Sequence, residues 1–340
     1  MGAHEGARRC DGACDAPSRS VTAVTIGVRA ARARVGYGHP VTELAPSRII
    51  AQLRGAEAGP TLIVIGGMHG NEPAGIVAAR EALAGLDIGA VRGEVVALIG
   101  NLRASTIGRR YIAHDLNRLW TAERLAVARS GASAEPELHE LAELAAVLDE
   151  AIARARGPVF VLDLHTTSAP GFPFAVVGPS AAHRQFAAAF PLPGIVGLEE
   201  SLPGVLTGYL GQLGCVTLAI EGGQHTTSAA ADNLAAVVTI ALEVTGVVAA
   251  MPESAAARAH LLAIRGELPH AIEVVVRHSL RPDHAFRMEP GFANIQRIPA
   301  GTLLARDAAG DIHAPFDGVV LLPLYQPDGD DGFFYGRSLA

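Results

Sequence analysis

The chain has 340 residues, of which 49% are hydrophobic and only 18% are charged, and its formal net charge is -7. The acidic balance argues against a general nucleic-acid-binding protein, whose surface would be basic. The chain contains no lysine, which excludes a Schiff-base lysine for pyridoxal phosphate and the lysine of a Walker A phosphate loop.

The first residues of the chain show no pattern typical of a helix or strand. Residues 1–20 are rich in Ala, Gly and Arg and predict a disordered tail. Three cysteines, Cys10, Cys14 and Cys215, are too few for a disulfide framework, and the sequence assigns no role to the first two. Since no apolar stretch follows the early arginines, there is no secretory signal, and a cytoplasmic location is expected.

Alternating strand and helix patterns fill the next part of the chain. Short apolar runs that suit buried strands alternate with helical periodicity. This order predicts a three-layer α/β/α domain over residues 21–260, with a mixed sheet covered on both faces. The apolar stretch at 234–251 contains Glu243 and lacks basic flanks, so it indicates a buried helix rather than a membrane span. The predicted strands are 22–36, 48–54, 61–65, 93–99, 158–164 and 215–220, and the predicted helices are 74–86 and 136 to about 156.

The pattern changes near residue 265. Short strands and Gly/Pro/Asp turns predict a smaller β-rich, barrel-like C-terminal domain over 265–340. Segments beginning at Gly301 and Ile312 resemble the half-repeats of a lipoyl-type module. Because the chain lacks the lysine that carries such a cofactor, this domain is expected to be a structural appendage.

Three chemically active side chains follow apolar runs that predict neighbouring strands. His69 and Glu72 lie three residues apart in a turn before a helix, and His165 follows another predicted strand. In α/β sheets, ligands bind beyond the carboxyl ends of the strands. Two histidines and a glutamate form a typical catalytic zinc set, which leaves a coordination position for water. Asp163 shares a strand face with His165 and is placed to orient a ligand histidine, although His165 alone is equally consistent with a buried core histidine.

Two further groups extend this site. Glu221 emerges from an apolar run into two glycines, where a carboxylate serves either as a capping or buried ion-pair residue or as a general base beside a metal. The segment from Arg109 to Arg118 holds several arginines and Asn117. Guanidinium and amide groups of this kind suit the binding of a carboxylate, and the alternative is a solvated charged loop.

Together these residues resemble the succinylglutamate desuccinylase/aspartoacylase family, a branch of the zinc carboxypeptidase superfamily. The resemblance rests on GGMHGNEPAG at 66–75, NLRASTIGRRYIAHDLNRLW at 101–120, DLHTTS at 163–168 and IEGG at 220–223. It covers roughly residues 60–225 and implies a zinc-carboxypeptidase-like fold with one Zn²⁺ per chain.

The resemblance also implies a role for each matching residue. His69, Glu72 and His165 match the zinc ligands, and Glu221 matches the general acid/base. Arg110 matches the arginine that polarises the scissile carbonyl, Asn117 and Arg118 match the pair that holds a substrate carboxylate with Arg109 beside them, and Asp115 matches a residue that orients the arginines. One departure concerns the substrate: aspartoacylases have a further arginine shortly before the glutamate, where this chain has YLGQLG at 209–214. For the substrate tyrosine of the family, both Tyr325 and Tyr335 are candidates.

The sequence therefore predicts a zinc-dependent hydrolase that cleaves the amide bond of a small anionic N-acyl compound. A zinc carboxypeptidase acting on peptides is the first alternative, and a non-catalytic zinc- or ligand-binding protein is the second. No nucleic-acid or membrane partner is expected, and a homo-oligomer is compatible with the sequence.

Overall fold

The structure, a computed structural model, describes residues 47–249, 251–281, 283 and 285–339. The predicted tail at 1–20, the predicted strand at 22–36 and the cysteines Cys10 and Cys14 lie outside these residues. The strands are β1 (Ile49–Arg54), β2 (Thr61–Gly66), β3 (Glu94–Ile99), β4 (Val159–Thr167), β5 (Phe174–Val177), β6 (Gly194–Val196), β7 (Val216–Gln224), β8 (Ala271–Ser279), β9 (Arg287–Met288), β10 (Gln296–Ile298), β11 (Leu303–Asp307), β12 (Gly310–His313), β13 (Gly318–Leu321) and β14 (Asp331–Leu339).

Eleven of these strands form one mixed sheet in the order β1-β3-β2-β4-β7-β5-β6-β8-β14-β13-β10, and β12-β11-β9 form a small second sheet. Strands β2, β4 and β7 run parallel at the centre, and every residue of β2 is buried. The all-apolar runs of the sequence are therefore central strands covered on both faces.

Helices cover both faces of the sheet. One face packs against α1 and α8, and the other packs against α4 and α7, which confirms the predicted layered α/β fold. Over the described residues the α-helices are α1 (Ala74–Leu83), α2 (Leu102–Thr106), α3 (Ala122–Ser130), α4 (Pro136–Ala153), α5 (Ala181–Ala187), α6 (Leu198–Ser201), α7 (Leu206–Gln212), α8 (Ser228–Val244) and α9 (Pro252–Arg265).

Some element boundaries differ from the sequence prediction. Helix α1 ends three residues early because Ala84 is extended and Gly85 has a φ of 82°. Helix α8 is the apolar segment near residue 240, and its buried side chains belong to the core between the sheet and α1. Among the residues described, no helix is long and apolar enough to cross a membrane. The cytoplasmic location stays a prediction.

The C-terminal β-rich part joins the main sheet directly. Ile272 of β8 is the parallel partner of Ile195 of β6, and β14, β13 and β10 continue from β8 by antiparallel pairing. Only β9, β11 and β12 form a separate sheet. The C-terminal part is thus antiparallel and β-rich as predicted, and the division near residue 265 stays a prediction.

Strands β4 and β7 extend beyond their apolar runs. β4 continues to Thr167 and β7 to Gln224, so His165 and Glu221 still lie within hydrogen-bonded strands. They are direct partners in the parallel pairing of the two strands. Because neighbouring strands are about 4.8 Å apart, this register places the two side chains beside one another.

Candidate metal centre and active site

The turn that carries His69 and Glu72 is held close to the sheet by two glycines. A Cβ on Gly66, at the end of β2, would lie 2.4 Å from the carbonyl carbon of Gly75 in α1. Only a residue without a side chain allows this approach of helix to strand. The backbone amide of Glu72 donates to the carbonyl of His69, which fixes the turn between the two residues.

His69, Glu72 and His165 converge as predicted. Their ligand atoms all lie within 4.8 Å of one another, and all three side chains are buried. His69 Nδ1 is 2.9 Å from Glu72 Oε1, and His165 Nδ1 is 3.2 Å from Glu72 Oε2. The amide of Thr166 also donates to Glu72 Oε2 over 3.0 Å. Both imidazoles thus direct Nδ1 towards one shared carboxylate.

A second carboxylate lies behind each imidazole. His69 Nε2 is 3.1 Å from Asp115 Oδ1, and His165 Nε2 is 3.0 Å from Asp163 Oδ2. A carboxylate at Nε2 favours the tautomer that carries its proton there, which leaves the lone pair of Nδ1 free. Asp163 therefore contacts the histidine for which the sequence predicted it, and Asp115 supports the other one.

The two lone pairs would face the oxygens of Glu72, which is unfavourable unless a cation lies among them. The residues therefore fit a bound metal: Glu72 and Asp115 lie beside the guanidinium of Arg110, and Asp163 beside His165 and the buried carboxyl of Glu221 add to the acidic groups of the site. Such an excess of buried negative charge needs a positive partner. Two histidines and a glutamate are the donor set of a catalytic zinc with an open coordination position.

The pKa directions reflect this crowding of charge. Burial alone would raise the pKa of Glu72, but His69 and His165 outweigh it and lower that pKa well below its usual value. Burial alone would lower the pKa of His165, but Asp163 and Glu72 raise it well above its usual value. Both imidazoles therefore lie in a strongly anionic environment, and the same environment would favour a bound metal cation.

Glu221 has the environment of a general base. Burial raises its pKa to about 8, with Glu72 adding to the rise while His165 and Arg110 oppose it. Its Oε2 is buried without a hydrogen-bond partner. A dication at the triad would lower this pKa, because a nearby opposite charge favours the ionised carboxyl. A carboxyl group with a pKa near neutrality can both accept and return a proton.

Arg110 faces the triad, whereas Arg109 does not. Arg110 Nη2 donates to Asp115 Oδ2 over 2.8 Å, Nη1 is 3.5 Å from Glu72 Oε1, and the buried Nε has no partner. Arg109 is exposed and does not line the cavity above the triad. The substrate contact of Arg109 stays a prediction.

Asn117 and Arg118 lie together at the other side of the cavity. The amide of Leu206 donates to Asn117 Oδ1 over 2.9 Å, which leaves the Nδ2 hydrogens for a ligand. Arg118 Nη2 donates to Asp331 Oδ2 over 3.2 Å, Nη1 donates to the carbonyl of Asn117, and Nε lies 3.7 Å from Asp330 Oδ2 without a hydrogen-bond partner. Two aspartates therefore engage most of the Arg118 guanidinium, and a ligand carboxylate would take their place.

The cavity above these residues has a volume of about 140 Å³. Part of its wall is the segment 322–331 of the C-terminal part. The expectation of a purely structural appendage is therefore wrong. The tertiary fold brings this loop over the carboxyl ends of the central strands.

Sequence reasoning missed His225, which also lines the cavity. Its Nδ1 is 2.7 Å from Thr166 Oγ1 and its Nε2 is 3.2 Å from Gln326 Oε1. The side-chain amide of Asn71 also donates, through Nδ2, to Gln326 Oε1 over 3.1 Å. The position of His225, four residues after Glu221, is the signal that could have identified it.

Neither candidate tyrosine reaches the cavity. The hydroxyl of Tyr325 donates to the carbonyl of Glu289 and accepts from the amide of Phe292. Tyr335 is fully buried, with its hydroxyl 3.0 Å from two carbonyl oxygens. Across the described part of the chain, no tyrosine lines the cavity.

The family model described as "Succinylglutamate desuccinylase/Aspartoacylase catalytic domain" matches residues 58–263, more than half of the chain. The chain belongs to this family. The resemblance seen in the sequence is confirmed, and the protein is of the deacylase hydrolase type that defines the family. Comparison with curated proteins finds no match.

Solved structures with the same fold cover most of the chain. A succinylglutamate desuccinylase/aspartoacylase from Rhodobacter sphaeroides has a TM-score of 0.62 and 18% identity over 85% of this chain and 88% of its own. The product-bound ectoine utilization protein EutE (DoeB) from Ruegeria pomeroyi has a TM-score of 0.61 and 20% identity, over 83% and 87%. The succinylglutamate desuccinylase from Chromobacterium violaceum has a TM-score of 0.58 and 19% identity, over 84% and 86%.

Proposed function

We propose that this protein is a zinc-dependent amidohydrolase that removes the acyl group from a small N-acyl amino acid. The observation that carries the proposal is the placement of Glu221 as the strand partner of His165, with the buried triad on one side and Arg110 lining the same cavity. Ligands, base and oxyanion donor thus converge on one space, as amide hydrolysis requires.

A zinc ion bound by His69, Glu72 and His165 would acidify water and polarise a carbonyl group. The protein's own residues supply the proton transfers. Glu221 accepts a proton from the water that attacks the carbonyl carbon. As the carbon–nitrogen bond breaks, the same carboxyl returns a proton to the departing nitrogen, so the products are a carboxylic acid and an amine. Since one group acts first as base and then as acid, a pKa near neutrality suits it.

Arg110 and the Asn117–Arg118 pair bind different parts of the substrate. Arg110, which lines the cavity, donates to the carbonyl oxygen, where negative charge develops. In comparable sites one such donor contributes about 2.7–4 kcal/mol. Asn117 and Arg118 bind the carboxylate of the amino-acid portion, which replaces the aspartate contacts of Arg118, because guanidinium and amide groups pair with carboxylates by charge-assisted hydrogen bonds.

The shape of the cavity favours a small substrate over a peptide. Leu324, Gln326 and Asp330 of the C-terminal loop form part of its wall. A carboxypeptidase needs an open cleft on both sides of the scissile bond for the preceding residues of its peptide. We therefore rank the peptidase second, and we rank the non-catalytic binding protein below it because the unpaired Oε2 of Glu221 suits proton transfer.

The test is a panel of N-acetyl and N-succinyl amino acids, with dipeptides included, assayed for release of the free amine by the zinc-loaded protein and its Glu221→Gln variant. Hydrolysis of an N-acyl amino acid that is lost in the variant is the expected result. Preferred cleavage of dipeptides would support the peptidase instead. If zinc binds but neither class is cleaved, the proposal is wrong.

A further inference from the structure

The floor of the cavity holds a buried carboxyl group that the proposed chemistry does not use. Glu199 of α6 lines the cavity and is only 7% exposed. Two other cavity acids have charged partners: Asp331 pairs with Arg118 and Arg277, and Asp163 pairs with a histidine. Over the residues that the structure describes, no arginine or histidine nitrogen lies within 4 Å of the Glu199 carboxyl.

The sheet register shows how far this group lies from the reaction centre. Phe174 of β5 is the strand partner of Glu221, and Val176 is the partner of Ala219. Gly178 lies four residues beyond Phe174, which corresponds to about 13 Å along the strand. A Cβ on Gly178 would lie 3.0 Å from Glu199 Oε1. Since alternate residues share a face, Glu221 and Glu199 stand at opposite ends of one face.

The space between the two carboxyl groups is apolar. Side chains from β5, β7, α6 and β14 wall this part of the cavity, and all are aliphatic or aromatic. The wall consists of Val176, Leu198, Leu202, Ala219 and Phe334. An extended hydrocarbon chain attached to the substrate next to Glu221 would pass along this wall and bring its end to Glu199.

His183 is the basic side chain whose charge acts on Glu199. His183 packs against the same glycine, with Nδ1 2.3 Å from the position of a Cβ on Gly178. Its Nε2 lies 3.3 Å from the carbonyl oxygen of Cys215, and its Nδ1 has no partner. Burial raises the pKa of Glu199, and a hydrogen bond from Thr207 and the charge of His183 oppose this rise. A buried carboxyl without an ion pair at the end of an apolar channel is a site for a ligand cation, because a buried charge is stable only when paired.

We propose that Glu199 is a specificity-determining residue that binds the terminal ammonium of an aliphatic side chain on the amino-acid portion of the substrate. The substrate class is therefore an Nα-acyl amino acid whose side chain is long, unbranched and basic. This inference rests on the proposed function for the orientation of the amine product, whose nitrogen receives its proton from Glu221. The carboxylate of that product then faces Arg118, and its side chain extends along the apolar wall.

The kinetic test compares Nα-acetyl-L-lysine with Nα-acetyl-L-norleucine, which has the same four-carbon chain without the amine. We expect kcat/KM of the zinc-loaded protein to be about tenfold or more higher for the lysine compound, as a hydrogen bond to a charged group implies. Glu199→Gln should remove this preference and change the norleucine rate less than about threefold. The matched control is Glu200→Gln, because the neighbouring Glu200 is exposed.

A binding measurement makes the result independent of turnover. Calorimetric titration of free L-lysine and L-norleucine into the Glu221→Gln protein should show tighter binding of lysine by about tenfold, and the added Glu199→Gln change should abolish the difference. Equal binding of the two amino acids, or a preference for norleucine or for acidic substrates, overturns the inference. If N-acyl amino acids are hydrolysed without the lysine preference, this inference fails alone. If no hydrolysis occurs, the proposed function fails.

Discussion

The two ends of the cavity are built in different ways. At the metal end, His69 and Glu72 lie three residues apart in one turn, and His165 and Glu221 are partners on adjacent strands. At the floor and rim, the side chains come from separated elements such as α6 and the loop at 322–331. That loop lies beyond residues 58–263, which the family model matches. The cavity thus combines side chains of the matched range, Glu199 of α6 among them, with a wall from the C-terminal part that lies beyond that range.

The largest expected effect is the loss of a metal ligand. His165→Ala should release the metal and reduce hydrolysis to the detection limit, because the open zinc site needs its third protein ligand. Metal content and activity should be measured on the same sample. The matched control is His114→Ala, since the side chain of His114 is 53% exposed and lies away from the triad. If the His165 variant kept full activity, His165 would not be a required metal ligand, and the proposed metal site would be wrong.

Glu221→Gln should give the next largest effect. The amide cannot accept a proton, so kcat should fall by about 10²–10⁴-fold while the protein keeps its metal, which Glu221 does not bind. A variant that loses both metal and activity would indicate that Glu221 is a ligand. A variant with unchanged kcat would show that another group is the base.

The adjacent arginines provide an internal comparison. Arg110→Ala should lower kcat by about 10²–10³-fold, because it removes a donor to the developing oxyanion. Arg109→Ala should change kcat by less than about twofold, since its exposed side chain lies outside the cavity. Steady-state kinetics on the best substrate of the panel measures both. If the two substitutions lowered kcat equally, the account in which only Arg110 acts in the cavity would be wrong.

The smallest effect is expected at the rim. Gln326→Ala removes the side chain that contacts both Asn71 and His225. We expect KM to rise by about two- to tenfold, as the loss of one or two hydrogen bonds implies, with kcat little changed. A fall in kcat at constant KM would show instead that the C-terminal loop takes part in the chemistry.

The sequence predicted the metal end well because its signals are local. A histidine and a glutamate three residues apart, and polar residues directly after apolar runs, indicate positions at strand ends without any knowledge of tertiary contacts. The burial of β2 and β4 follows from the same runs. Residues such as Asp115 and Arg110 were assigned through resemblance, and the structure shows the contact between them at 2.8 Å.

The floor and rim could not be predicted in this way. Glu199 lies in a short helix whose sequence resembles any acidic surface turn, and its burial follows only from packing beside Gly178. Tyr325 and Tyr335 were both open candidates because a sequence does not show where a hydroxyl points. The loop at 322–331 reaches the cavity only because β14 continues the main sheet from β8.

The central claim is that one zinc ion per chain, held by His69, Glu72 and His165, is required for amide hydrolysis. The most direct measurement is the titration of zinc into chelator-treated protein while release of the amine from an N-acyl amino acid is recorded. We predict that activity rises linearly and stops at about one equivalent of zinc per chain, as expected for a single catalytic site. Activity that is already complete without metal, or tight zinc binding that leaves the protein inactive on every substrate, would contradict the account.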